Sequence, residues 1–189
     1  MAKVQPLPVR YQLVPHGVMG MLIFVATEAM IFAGMISAFA IVKGAADVWP
    51  PPDQPRLPIE ATALNTLALL ASGFALFLGG RAFHRDPTTA VRPLALALGL
   101  GAFFVLFQGF EWAQLIGQGL TLTSSTLGGF FYLLVGAHAL HAVGAIAALA
   151  WAFGCLRKGT LTYQRLAPVQ IFWYFVVGVW PILYVMVYL

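Results

Sequence analysis

Charge is scarce in this sequence: Asp, Glu, Lys and Arg together make up 8% of the 189 residues, while 61% are apolar. A soluble domain carries about a quarter charged residues, so this chain cannot cover a globular surface with polar groups. Cysteine is nearly absent as well. The single Cys155 excludes an internal disulfide framework and a cysteine metal site. Acidic residues are few, and the excess of basic ones lies mostly outside the apolar segments. In a membrane protein that excess reports topology rather than nucleic-acid binding.

Long apolar runs are what the sequence does have. Between Glu111 and Arg157 no Asp, Glu, Lys or Arg intervenes, only His138 and His141. That stretch is about twice the ~20 residues needed to cross a bilayer, so it holds two spans. Apolar segments bounded by charges and by Pro or Gly clusters run over 17–42, 61–83, 93–116, 125–156 and 168–189. Hydrocarbon leaves no backbone group unpaired, and these segments show no alternation of polar and apolar positions, so helices are expected rather than a barrel. The expected fold is all-α: a single membrane domain over 1–189 with five transmembrane helices. The first apolar run is too long for a signal-peptide core and contains Glu28, so it reads as a retained span.

With a cytoplasmic N-terminus, the inner segments hold Lys3, Arg10, Arg81, Arg85, Arg92, Arg157, Lys158 and Arg165, and the outer ones only Lys43 and Arg56. The positive-inside rule then places the C-terminus on the outer side. The outer stretch from Val48 to Pro58 contains Trp49, Pro50, Pro51, Pro52, Pro55 and Pro58. Fixed φ and missing donors predict a stiff, extended strap there. No internal repeat divides the five spans into matching halves, as an inverted-repeat transporter would require.

Few polar residues fall inside the spans, and each needs a reason. An ionised carboxylate near the middle of span one costs several kcal/mol on insertion scales, so Glu28 is expected to face protein or water. Met21, Phe24, Glu28, Phe32 and Met35 follow three- and four-residue steps, one stripe turned towards other helices. Gln108 and Glu111 are three apart in span three; His138 and His141 are three apart in span four. Antiparallel neighbours are expected to bring these two polar faces together, a carboxyl accepting from an imidazole N–H. Three readings are open: mutual structural satisfaction, proton sharing, and a two-His, one-carboxylate metal site. Asn65, Thr66 and Ser72 in span two fit interhelical hydrogen bonding. Trp49, Trp112, Trp173, Trp180, Tyr163, Tyr174, Tyr184 and Tyr188 fall near span ends and along the last helix, where aromatics sit at membrane interfaces or line lipid or subunit contacts. His138 and His141 share one helix, which suits a haem poorly.

The order of motifs carries more than any one of them. Span one reads Gly20-Met21, Phe24, Thr27-Glu28, Phe32 and Ala38-Phe39; then come Trp49-Pro50-Pro51 and Leu64-Asn65-Thr66 with Leu70-Ala71-Ser72-Gly73. Span three ends Gln108-Gly109-Phe110-Glu111-Trp112, and span four carries Gly136-Ala137-His138-Ala139-Leu140-His141. In this order they resemble subunit III of the haem–copper respiratory oxidases, in the five-helix form that lacks two leading helices. One departure stands in the last helix, where Trp173-Tyr174-Phe175-Val176-Val177 replaces the Trp-His-Phe-x-Asp of many members.

The resemblance implies a multi-pass accessory subunit of a proton-pumping oxidase in the bacterial inner (cytoplasmic) membrane. Such a subunit contacts subunit I directly, with subunit II nearby. It is not catalytic by itself: haem and copper belong to the partner subunits, and this chain holds no metal and no cofactor beyond bound phospholipid. Glu28, Phe24 and Phe32 would line a lipid cleft, while Gln108, Glu111, His138 and His141 would form a polar cluster supporting the fold and proton uptake. Glu28→Ala is expected to leave assembly intact, because its apolar surroundings offer few obligatory partners. Other readings are a subunit III-like partner of a quinol oxidase or nitric oxide reductase, a small proton-coupled transporter, and a metal-dependent membrane enzyme.

Overall fold

A computed structural model describes residues 15–49 and 55–189. Among these residues there is no strand, and five long helices run in order: α1 (His16–Ala45), α2 (Ile59–Arg85), α3 (Val91–Gly117), α4 (Thr126–Arg157) and α5 (Tyr163–Tyr188). All five are long and apolar enough to cross a membrane. Even the 26 residues of α5 extend about 39 Å at 1.5 Å per residue, beyond a hydrocarbon core of about 30 Å. Lys3, Arg10 and the Pro50–Pro52 part of the expected strap lie outside the described residues.

Local chemistry sets the helix ends. Ser125 caps α4, its hydroxyl accepting from the Gly128 amide at 3.0 Å. Asp86 caps the short 3₁₀ turn Pro87–Ala90 between α2 and α3, accepting from the Thr88 amide and hydroxyl at 2.9 and 2.6 Å. The helices α3 and α4 both close on a left-handed glycine, Gly119 (φ 93°) and Gly159 (φ 68°), a backbone region costly for other residues. Each glycine allows the following amide to bond back to the last turn, Leu120 to Leu115 at 3.0 Å and Thr160 to Cys155 at 2.9 Å.

Span boundaries differ from expectation most at α5, which starts at Tyr163 rather than at Pro168. Pro168, the sixth residue of α5, removes the amide that would bond to the Gln164 carbonyl and crowds that carbonyl, yet the helix runs through it.

Helix α5 is the hub, packing against α1, α2 and α4; α3 lies against α2 and α4, and α1 is held by α5 and α4. The two largest buried side chains, Trp173 and Trp180, sit on this hub with no exposure. Small residues bring the other helices close to them. A Cβ on Gly101 of α3 would lie 2.7 Å from the Trp173 ring, so only glycine lets the helices meet at this spacing. His84 packs against Tyr163 at one end of the bundle, and the Tyr184 hydroxyl bonds to the Ile59 carbonyl at the other. Arg81, Arg85, Arg92, Arg157, Lys158 and Arg165 therefore gather at the first end, Lys43 and Arg56 at the second.

Candidate functional site

The polar residues of the spans form two separate clusters. The first lies among α2, α3 and α5. Thr62, Asn65, Thr66 and Ser72 occupy one face of α2 at helical spacing, and all four are buried. Thr62 Oγ1 and Gln108 Nε2 each donate to Glu111 Oε2 at 3.0 Å. Gln108 Nε2 also donates to the Tyr188 hydroxyl at 3.2 Å, and Asn65 Nδ2 donates to the Phe104 carbonyl at 3.1 Å and to Gln108 Oε1 at 3.4 Å.

Farther along α2 the same logic repeats with hydroxyls. Thr66 donates to the Thr62 carbonyl at 2.7 Å and accepts from Trp180 Nε1 at 2.8 Å. Ser72 donates to the Ala97 carbonyl at 2.7 Å and accepts from Trp173 Nε1 at 3.2 Å. Each hydroxyl thus satisfies an indole N–H where no water is at hand. Of the aromatics expected near span ends, Trp173, Trp180 and Tyr188 are buried within the bundle, the two indoles donating to Ser72 and Thr66 of α2 and the Tyr188 hydroxyl accepting from Gln108 of α3.

The second cluster joins α1 to α4. Glu28 Oε2 lies 3.1 Å from His141 Nε2, with the side chains 17% and 15% exposed. His141 Nδ1 lies 2.7 Å from the Ala137 carbonyl, which can only accept, so Nδ1 carries a proton. Nε2 therefore either accepts from a neutral Glu28 or donates to an ionised one, and a single proton serves the contact in both cases. Phe24, Phe32, Phe172 and Phe175 surround the imidazole with centroids 5.5–6.4 Å away. Trp49 is half-buried against Phe39, ring centroids 5.6 Å apart.

The expected apposition of Glu111 with the two histidines does not form. Glu111 turns to α2 and α5, whereas His141 turns to α1; the residues three apart on α4 point to different neighbours. His138 bonds to neither carboxylate. It is 2% exposed, its ring lies 4.9 Å from Trp180, and its Nε2 has no partner within the protein. The two-His, one-carboxylate arrangement is thus not assembled, and among the described residues no three His, Cys, Asp or Glu side chains form a metal-holding group. Sequence reasoning missed Thr62 and the inward role of Tyr188. Thr62 stands three residues before Asn65, a spacing that would have joined it to the same face.

Fold and site define a multi-pass helical membrane protein whose in-span carboxylates, Glu28 and Glu111, are paired with side chains of other helices. The family model for cytochrome c oxidase subunit III matches residues 10–189. Cytochrome c oxidase subunit 3 of Thermostichus vulcanus is 28% identical over 177 residues, covering 91% of this chain and 86% of that protein. A probable cytochrome c oxidase subunit 3 of Mycobacterium leprae is 32% identical over 174 residues, covering 89% of this chain and 85% of that protein. The orangutan subunit 3 (Pongo pygmaeus) is 29% identical over 179 residues, which cover 89% of this chain but 67% of the longer relative. The chain belongs to the cytochrome c oxidase subunit III family.

Proposed function

We propose that this chain is the non-redox accessory subunit III of a proton-pumping terminal respiratory oxidase, seated against catalytic subunit I in a bacterial cytoplasmic membrane. The observation that carries the proposal is the family match along nearly the whole chain. The role fits the site: Glu28 is paired with His141, and Glu111 accepts from a neighbouring hydroxyl and amide. Haem and copper reside in the partner subunits, and phospholipid fills the lipid-facing grooves.

The charge asymmetry of the bundle favours a cytoplasmic placement of the end carrying Arg81, Arg85, Arg92, Arg157, Lys158 and Arg165. The N-terminus then faces the cytoplasm and the C-terminus the outer side. Glu28 and His141 share one proton across the α1–α4 contact, a local store that supports proton uptake by subunit I. Glu111, Gln108, Thr62, Asn65 and Tyr188 maintain the fold.

The last helix favours a second reading of the complex. Val177 packs its methyl groups against Gly73, so the position where many family members carry Asp is apolar here. This chain accordingly also suits a complex fed by quinol, or one related to nitric oxide reductase. Tagging the chain, extracting native membranes in mild detergent and recording the reduced-minus-oxidised spectrum tests both readings. Stoichiometric haem with a large multispanning subunit is expected, and the haem type and electron donor distinguish the two complexes. A colourless chain recovered alone overturns both.

A further inference from the structure

The Glu111 cluster lies at the end of the bundle that carries Lys43 and Arg56. Thr62 is the fourth residue of α2, Tyr188 the last of α5, and Glu111 stands six residues before the end of α3, about 9 Å along the helix. Glu111 is 3% exposed, and the groups that bond to it, the Thr62 hydroxyl and the Gln108 amide, are neutral. Both donate to Oε2. Glu111 Oε1 is buried without a donor, and so is Asn65 Oδ1 in the same cluster.

The cluster is therefore short of hydrogens. Asn65 Nδ2 serves the Phe104 carbonyl and Gln108 Oε1, and Gln108 Nε2 serves Glu111 and Tyr188, so neither amide has a hydrogen left to give. Both unpaired oxygens are closed even to water, so solvent does not make up the deficit. An ionised carboxylate would bear its charge here with one oxygen bare and no cation among the described residues bonded to it. That costs far more than burying the neutral acid. A proton, unlike a water or an ion, needs no cavity.

We propose that Glu111 is a proton-binding site, its carboxyl holding a proton at neutral pH and exchanging it with the aqueous phase at this end of the bundle through the Thr62 and Tyr188 hydroxyls. The Tyr188 hydroxyl lies within hydrogen-bonding reach of Thr62, and Thr62 in turn bonds to Glu111. Tyr188 also lines a cavity of about 600 Å³ together with Lys43 and Arg56. Arg56 is exposed, and a cavity walled by two cations takes up water.

A half turn about the last torsion of Glu111, a broad and two-fold one, exchanges its two oxygens and brings the proton to the Thr62 side. Each hydroxyl both donates and accepts. As Thr62 takes the proton of the acid it passes its own to Tyr188, which passes its own to water in the cavity; Glu111 is left as a carboxylate, and the reverse sequence reloads it. The other titratable groups around the cluster are Glu60 on the exposed side of α2, Tyr184 beside Tyr188 with centroids 5.6 Å apart, and His138 of α4, whose ring meets Phe104 and Trp180. The proposal depends neither on the orientation of the chain nor on which complex it joins.

Infrared spectroscopy of the tagged chain, purified with its native partners, tests it. The C=O stretch of a protonated carboxyl is expected at neutral pH in the difference between wild type and Glu111→Gln, and it should shift on transfer to heavy water as the proton exchanges. Tyr188→Phe should keep the band and slow the shift several-fold, since it removes a relay hydroxyl and not the acid. Should Glu111→Gln fail to accumulate, Glu111→Asp takes its place, with the band displaced in frequency instead of lost. Absence at neutral pH of a protonated-carboxyl band that responds to substitution of Glu111 overturns the site. A shift in Tyr188→Phe as fast as in wild type overturns the route.

Discussion

Glu28 of α1 meets His141 of α4 at 3.1 Å, through the one imidazole nitrogen left free by the bond between Nδ1 and the Ala137 carbonyl. The backbone of α4 thereby fixes the tautomer, and with it which atom faces the carboxyl. This contact is a polar tie between α1 and the bundle at mid-span. Among the apolar surroundings expected to offer Glu28 few obligatory partners, His141 is one.

Glu28→Ala should therefore loosen α1. It leaves His141 Nε2 without a partner in a site only 15% exposed, at a cost of about 1–3 kcal/mol. Retention of the chain after a graded detergent wash should fall in Glu28→Ala, and less so in Glu28→Gln, which keeps a hydrogen-bonding amide. Equal retention of wild type and both variants would count against the tie.

Glu111→Ala should impair assembly more than Glu111→Gln. Alanine strands Thr62 Oγ1 and one bond of Gln108, two buried donors at about 1–3 kcal/mol each, whereas the glutamine oxygen can still accept from both. The check is the yield of chain in purified membranes at matched expression. Normal yield for Glu111→Ala would mean that the cluster is not needed for the fold.

The histidines of α4 should respond oppositely. His138→Leu removes a ring whose Nε2 makes no bond within the protein, so the thermal midpoint should hold or rise. His141→Leu strands Glu28 and should lower it. A fall of the same size in both variants would contradict the separate placement of the two residues.

Packing at the hub offers a test that involves no polar group. Gly101→Val should cost about 1–3 kcal/mol through overpacking against Trp173. Gly34→Ala, where a Cβ meets nothing within 4 Å, should stabilise α1 by about 0.5–1 kcal/mol. Thermal unfolding of the two variants in one detergent makes the comparison, and equal midpoints would refute it.

The turn after α2 has its own pH dependence. Hydrogen bonds from the Thr88 hydroxyl and amide hold the exposed Asp86 carboxyl below its ordinary range. A depressed folded value means the stabilisation is complete above the unfolded pKa of about 3.9 and is lost as pH falls through the lower folded value. Exchange of the Thr88 amide should quicken, relative to its intrinsic rate, as the pH drops below about 4, and Asp86→Asn should remove that acceleration.

The sequence by itself determined the five spans and the residues that must be satisfied inside them, because charge scarcity, run length and backbone hydrogen bonding are local properties of the chain. Its motif order also determined the family. Helical spacing gathered Asn65, Thr66 and Ser72 onto one face of α2 and placed Glu28 in the stripe that packs. Which carboxylate meets which histidine was left to the tertiary structure. Residues three apart on a helix differ in direction by about 60° at 100° per residue, and only the arrangement of neighbours decides what each one finds. Here α1 and α3 lie against different sides of α4, so His141 reaches Glu28 while His138 turns to Trp180. The buried tryptophans have the same explanation. Their polar partners stand about a hundred residues earlier on α2, a distance that only helix packing closes.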